Sequence, residues 1–228
     1  MFEAKSVSRS DIERHIYGTY IYLRVGMGVI AVAFPVLLYA WGAAHGIPLA
    51  DSMSAYYWET LEKGSPVRVW FIGGLFAIGA CLFLYQGFTK GENYALNLAG
   101  LLAIGVAYFP MEWNCGSNCK SFSMHGFCAV SMFVCLAYVT WVRSKDTLSH
   151  IKDAVLKNRY ANAYNAISIV MLAAPIAAAL LLVVFQQKGA YAFFLEASGI
   201  WAFAAFWFTK TAELRSSSLD APAVPPNP

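Results

Sequence analysis

Charge is the first thing this sequence has little of. Asp, Glu, Lys and Arg make up 13% of its 228 residues, while 59% are apolar. Soluble domains carry about a quarter charged residues. A water-soluble fold of this composition could not cover its surface with polar groups, whereas lipid removes that requirement, so a membrane class is the first expectation. The net charge of +3 is small, and no basic block interleaved with aromatics points to nucleic acid. Histidine is scarce as well. His15, His45, His125 and His150 are scattered, which disfavours a bis-histidine haem bundle. There is no Walker loop, dinucleotide fingerprint, nucleophile elbow or two-histidine zinc motif on one helix, and no cofactor is expected. Without an internal repeat, an inverted-repeat transporter gains no support. The N-terminus also lacks the form of a cleavable signal peptide. Its polar lead, Met1 to Arg24, is long and carries Glu3, Asp11 and Glu13, and the apolar run after it has the length of a membrane span.

Long apolar runs are what the sequence has in plenty. Crossing a hydrocarbon core about 30 Å thick takes roughly 20 apolar residues in a helix. Six runs meet that length: Val25–Ala44, Val69–Phe88, Tyr94–Met111, Met124–Val142, Ala163–Phe185 and Ala190–Thr209. None contains Lys or Arg, and the sixth alone contains an acidic residue. The runs are continuous rather than alternating, so helices are expected and not a β-barrel. The fold class is an all-α polytopic bundle of six transmembrane helices, residues 25–209. A cytoplasmic segment, 1–24, precedes it, and a cytoplasmic disordered tail, 210–228, with a Ser- and Pro-rich end, follows.

The basic residues give the bundle a direction. With the N-terminus inside, the inner segments carry Lys5, Arg9, Arg14, Arg24, Lys90, Arg143, Lys145, Lys152, Lys157, Arg159, Lys210 and Arg215, and the outer ones only Lys63, Arg68, Lys120 and Lys188. Both termini are therefore expected in the cytoplasm, with the bundle in the cell's inner membrane. Small residues spaced by four, Ala95/Ala99/Ala103, Gly73/Ala77 and Ala173/Ala177, mark expected close helix contacts. Pro35 and Pro175 are expected to kink their helices and Pro110 to end the third. In the first outer loop, Met53, Tyr56, Tyr57 and Leu61 share a helical face behind Ser52, which suggests a short capped helix on the outer surface. In the long inner loop, Leu148, Ile151 and Val155 oppose Lys152, Lys157 and Arg159. That pattern is either a basic helix facing anionic lipid or a solvated connector.

One carboxylate stands out. Glu196 lies about two turns inside the outer end of the sixth run, where an ionisable group costs up to about 3 kcal/mol. It needs a partner, and it is either a ligand, proton or ion site or a structural hydrogen-bonding group. The topology gathers His125, Glu112, Arg68, Asp51, Tyr56, Tyr57 and Glu59 at the same outer level. Arg68 is a natural partner for Glu196 or Glu112. These residues form either an outward-facing polar pocket or a solvated rim. Cys115 and Cys119 flank Gly116, Ser117 and Asn118. They are a disulfide candidate in an oxidising compartment, with free thiols or a weak metal site with His125 as alternatives. Cys81, Cys128 and Cys135 read as packing residues.

Four stretches carry a resemblance. They are Ser52-Met-Ser-Ala-Tyr-Tyr, Arg68-Val-Trp-Phe-Ile-Gly-Gly-Leu-Phe-Ala-Ile-Gly, Asn97-Leu-Ala-Gly-Leu-Leu-Ala-Ile-Gly-Val-Ala-Tyr-Phe-Pro, and Leu195-Glu-Ala-Ser-Gly-Ile-Trp-Ala-Phe. Together they resemble a family of bacterial multi-pass membrane proteins near the DRAM/Frag superfamily. The resemblance implies a six-helix integral membrane protein and no established activity, with Arg68, His125, Glu196 and the Ser-x-Ser-x-Tyr-Tyr segment as its polar signature. The cysteine pair is either a departure from that pattern or a feature of a subfamily. Three functions are expected in order: binding or handling of a lipid or small apolar molecule, a membrane-embedded hydrolase using His125, Asp51, Glu112 or Glu196, and an accessory subunit of a membrane complex. Membrane lipids are the expected partners, beside a homo-oligomer or a larger membrane assembly.

Overall fold

The computed structural model describes residues 8–59, 67–112, 123–181 and 189–217. Among these there is no strand. The described residues form six α-helices, α1 (Arg9–Ala44), α2 (Arg68–Leu84), α3 (Lys90–Tyr108), α4 (Met124–Trp141), α5 (Ala154–Ala179) and α6 (Tyr191–Ser216), with two 3-10 segments, η1 (Met53–Tyr57) between α1 and α2 and η2 (Arg143–His150) between α4 and α5.

Each helix packs on its neighbours in sequence, and α1 closes on α6. The result is a ring in chain order. Its alternate members α2, α4 and α6 converge on a small central crevice, lined by Leu75, Ile78, Met132, Phe133, Leu136, Ile200 and Phe203. The crevice measures about 20 Å³, room for one water, and its apolar lining keeps it dry. Many large apolar side chains point outward, among them Val29, Val32, Phe76, Leu98, Leu101, Val134, Ile169 and Trp201. In water such a surface would be a liability; a hydrocarbon environment satisfies it.

Among the described residues, four helical stretches are long and apolar enough to cross a membrane, not the six expected: α1, α4 with η2, α5 and α6. The second run falls short because its helix stops at Leu84 after 17 residues, where Tyr85 turns extended. The third is diluted by Lys90, Glu92, Asn93 and Asn97 in its first two turns.

Several boundaries shift for identifiable reasons. α1 starts at Arg9, far ahead of the apolar run, because Ser8 and Asp11 form a reciprocal capping box. α5 starts at Ala154, where the Asp153 carboxylate accepts from the amides of Val155 and Leu156. α6 runs through Thr209 to Ser216, so the start of the expected disordered tail is helical, held by its buried residues Lys210, Thr211, Glu213 and Leu214. The end of the expected disordered tail lies outside the described residues. Pro35 and Pro175 both lie inside helices, and α3 ends at Tyr108, ahead of Pro110.

The close approach of α2 and α3 is made by Gly79 and Gly100, not by Gly73. A Cβ on Gly100 would lie 2.6 Å from the Gly79 carbonyl oxygen, whereas one on Gly73 would meet nothing within 4 Å. On α3 the expected Ala99 and Ala103 are fully buried. On α5 it is Ala174 and Ala178 that are buried, one position on from the expected pair.

η1 does not lie on the surface as expected. Met53, Ala55 and Tyr56 are buried, and the turn packs against α1, α2 and α6. In the inner loop Leu148 and Ile151 join the core while Val155 stays exposed, so the expected apolar stripe is split between the end of η2 and the start of α5.

Candidate functional site

The end of the bundle where α2, α4 and α6 begin, expected to face outward, is closed by η1. Its two serines point to different helices. Ser52 Oγ donates to both carboxylate oxygens of Glu196 on α6, at 2.8 and 2.9 Å, and the Met53 amide donates to Glu196 Oε2 at 2.6 Å. The same Ser52 oxygen accepts from the Ser54 amide at 3.1 Å and so caps the turn. Ser54 Oγ lies 2.8 Å from Nε2 of His125 in the first turn of α4. His125 Nδ1 faces the carbonyl oxygens of Phe109 and Val106, at 2.8 and 3.1 Å. A carbonyl can only accept, so Nδ1 carries the proton. A neutral ring then leaves Nε2 as the acceptor and makes Ser54 the donor.

The expected partner of Glu196 is corrected by this geometry. Arg68 makes no ion pair with Glu196 or Glu112 among the described residues. Its guanidinium lies over the Tyr57 ring, 5.4 Å from the centroid, a cation–π contact. Tyr57 in turn meets Phe71 edge-on. Asp51 joins η1 to the start of α6: its Oδ1 accepts from the Gly189 amide at 2.9 Å and its carbonyl from the Phe193 amide at 3.1 Å. Glu112 has no hydrogen bond to a described residue. Tyr56 is fully buried beside Phe193, and burial pushes its phenol above the usual tyrosine range. Cys115 and Cys119 lie outside the described residues. Among the described residues no group of three metal-ligating side chains is found.

Three polar residues share a register above the central crevice. Arg68 precedes Leu75 by seven residues on α2, and His125 precedes Met132 by seven on α4. Glu196 precedes Ile200 by four on α6, and all three apolar residues line the crevice. Spacings of four and seven return to one helix face, so each polar group stands one or two turns above the crevice on its own helix. A larger hollow, about 370 Å³, runs along the first turns of α1. One helix alone lines it, so nothing encloses a ligand there.

No family model, curated protein or solved structure matches this chain.

The opposite end of the bundle holds a polar cluster that a hydropathy reading treats as loop. Lys210 and Glu213 are 1% and 0% exposed. Lys210 Nζ lies 2.8 Å from Glu213 Oε2, and donates to Thr147 Oγ1 at 2.5 Å and to the Ser144 carbonyl at 3.1 Å. Glu213 also accepts from Thr147 and from the Tyr164 hydroxyl, each at 2.8 Å. Glu92, also buried, accepts from the Phe88 amide at 2.9 Å. Arg24 is 1% exposed, its guanidinium 3.4 Å from the Tyr85 hydroxyl. These residues sit in helices α1, α3 and α6 and not in solvent. One sequence signal could have found them. The apolar stripe of α6 continues from Phe203 through Trp207 to Leu214, and Lys210 falls on it.

Proposed function

We propose that the chain is a multi-pass protein of the cell membrane with six spans and both termini in the cytoplasm. It binds an amphiphile from the outer leaflet. The polar end of that molecule meets Glu196, Ser52, His125 and Arg68, and its apolar part enters the crevice between α2, α4 and α6. The charge asymmetry across the connecting segments supports the orientation, and the outward-pointing apolar side chains of all six helices support the spans, the shorter α2 and α3 included.

The observation that carries the binding reading is the register of Arg68, His125 and Glu196 over one apolar crevice. An amphiphile needs that order of groups, polar at the mouth and apolar below. The crevice is narrow at rest, so binding separates α2 from α4 and α6. Side chains rather than close backbone contacts hold those three helices around it.

Lipid retained through mild extraction tests the reading. Ile200→Trp fills the crevice and Glu196→Gln weakens the mouth. Both are expected to lower the bound amphiphile per chain at least several-fold against wild type, as counted by mass spectrometry. Equal retention in both variants, with their thermal midpoints unchanged, would overturn it.

A further inference from the structure

We infer that Ser54 is a nucleophile, activated by His125, toward a carboxylic ester of the amphiphile bound at this site; the substrate class rests on the binding reading above. The geometry is that of a nucleophile and its base. Ser54 Oγ and His125 Nε2 are 2.8 Å apart, within the reach that proton transfer needs. The two carbonyls on Nδ1 fix the tautomer that leaves Nε2 free to take the hydroxyl proton. They also hold the ring from its far side, the place a third group occupies in hydrolytic triads. His125 is 6% exposed while Ser54 is only partly buried, so the base is more shielded than the serine it faces.

Glu196 is a positioning residue in this scheme. It holds Ser52 Oγ and the Met53 amide, and Ser52 Oγ holds the Ser54 amide. Two fixed points, one on α6 and one on α4, therefore set where Ser54 stands.

The step balances without any further group. Ser54 Oγ bonds to the acyl carbon as its proton passes to His125 Nε2. The bond from the acyl carbon to the alcohol oxygen breaks, and His125 returns the proton to that oxygen. Water then attacks the acyl-serine, giving its proton to His125. The acid leaves as the proton returns to Ser54, so ester and water become acid and alcohol.

The full-length protein in nanodiscs, treated with an alkyl fluorophosphonate and mapped by peptide mass spectrometry, tests the inference. Ser54 is expected to carry the adduct, with Ser52, Ser123 and Ser198 unmodified as internal controls. His125→Gln is expected to slow labelling about 10²–10⁴-fold, the range for loss of a general base. His125→Asn, which also lacks an ionisable ring, checks that the loss does not come from one misfolded variant. An unmodified Ser54 in the wild type, or equal labelling rates in wild type and a folded His125 variant, would overturn the inference. Lipid retention is counted on the same wild-type sample. Retained amphiphile with an unmodified Ser54 sinks the nucleophile and spares the binding reading. Labelled Ser54 with no retained amphiphile sinks the binding reading and, with it, the substrate class.

Discussion

Lys210 and Glu213 show how a charge survives inside this bundle. Each nitrogen hydrogen and carboxylate oxygen of the pair has a partner from η2, α5 or α6. Removing one member leaves the other buried and uncompensated, which costs about 3–5 kcal/mol, whereas replacing both by apolar groups of similar size is often near neutral. Lys210→Met is therefore expected to lower stability by about that amount. The double variant Lys210→Met/Glu213→Leu should recover much of the loss, as read from thermal unfolding in detergent. A double variant as unstable as the sum of the singles would contradict the pairing. At the end closed by η1, Ser52 both caps that turn and donates to Glu196. Ser52→Ala should destabilise by about 1–3 kcal/mol, the range for orphaning a buried acceptor, and should speed proteolysis within Met53–Tyr57 ahead of any other segment.

At the scale of elements, the α2–α3 contact gives a sharp pair of substitutions. A methyl on Gly100 meets backbone oxygen at 2.6 Å, and backbone cannot swing aside as a flexible side chain can. Gly100→Ala should therefore cost about 1–3 kcal/mol by overpacking. Gly73→Ala, with open space around its Cβ, should be neutral or stabilising by up to about 1 kcal/mol, from helix propensity alone. Thermal midpoints of the two variants check both signs. The same pair explains what was legible. The existence of helices followed from apolar runs, and α4 starts where its run does. Helix rotation did not follow, because small residues at a four-residue spacing occur on several faces and only packing selects one. Ends carried by caps, such as Ser8 with Asp11, were readable in principle but invisible to hydropathy. Glu196 stood out as a costly carboxylate, yet its partner was not deducible. Depth in the membrane says which groups share a level, and only the buried fold of η1 says which of them touch. Lys210 and Glu92 were hidden by the opposite effect, since flanking charge near a run reads as loop.

For the whole molecule, the ring in chain order and the charge asymmetry make one joint statement about sidedness. Single cysteines placed at Lys145 and Arg215 should react with an impermeant maleimide only from the cytoplasmic face. A cysteine at Trp58, which is 44% exposed near η1, should react only from outside. The reverse pattern would invert the orientation and put the mouth in the cytoplasm. The central claim is that an amphiphile occupies the crevice beneath that mouth. A fatty acyl probe carrying a photoreactive diazirine in its chain, cross-linked in native membranes and mapped by peptide mass spectrometry, tests this most directly. The expected adducts fall on Leu75, Ile78, Met132, Leu136, Ile200 and Phe203. Adducts confined to outward-pointing residues such as Val29, Phe76, Leu101 and Ile169 would contradict it.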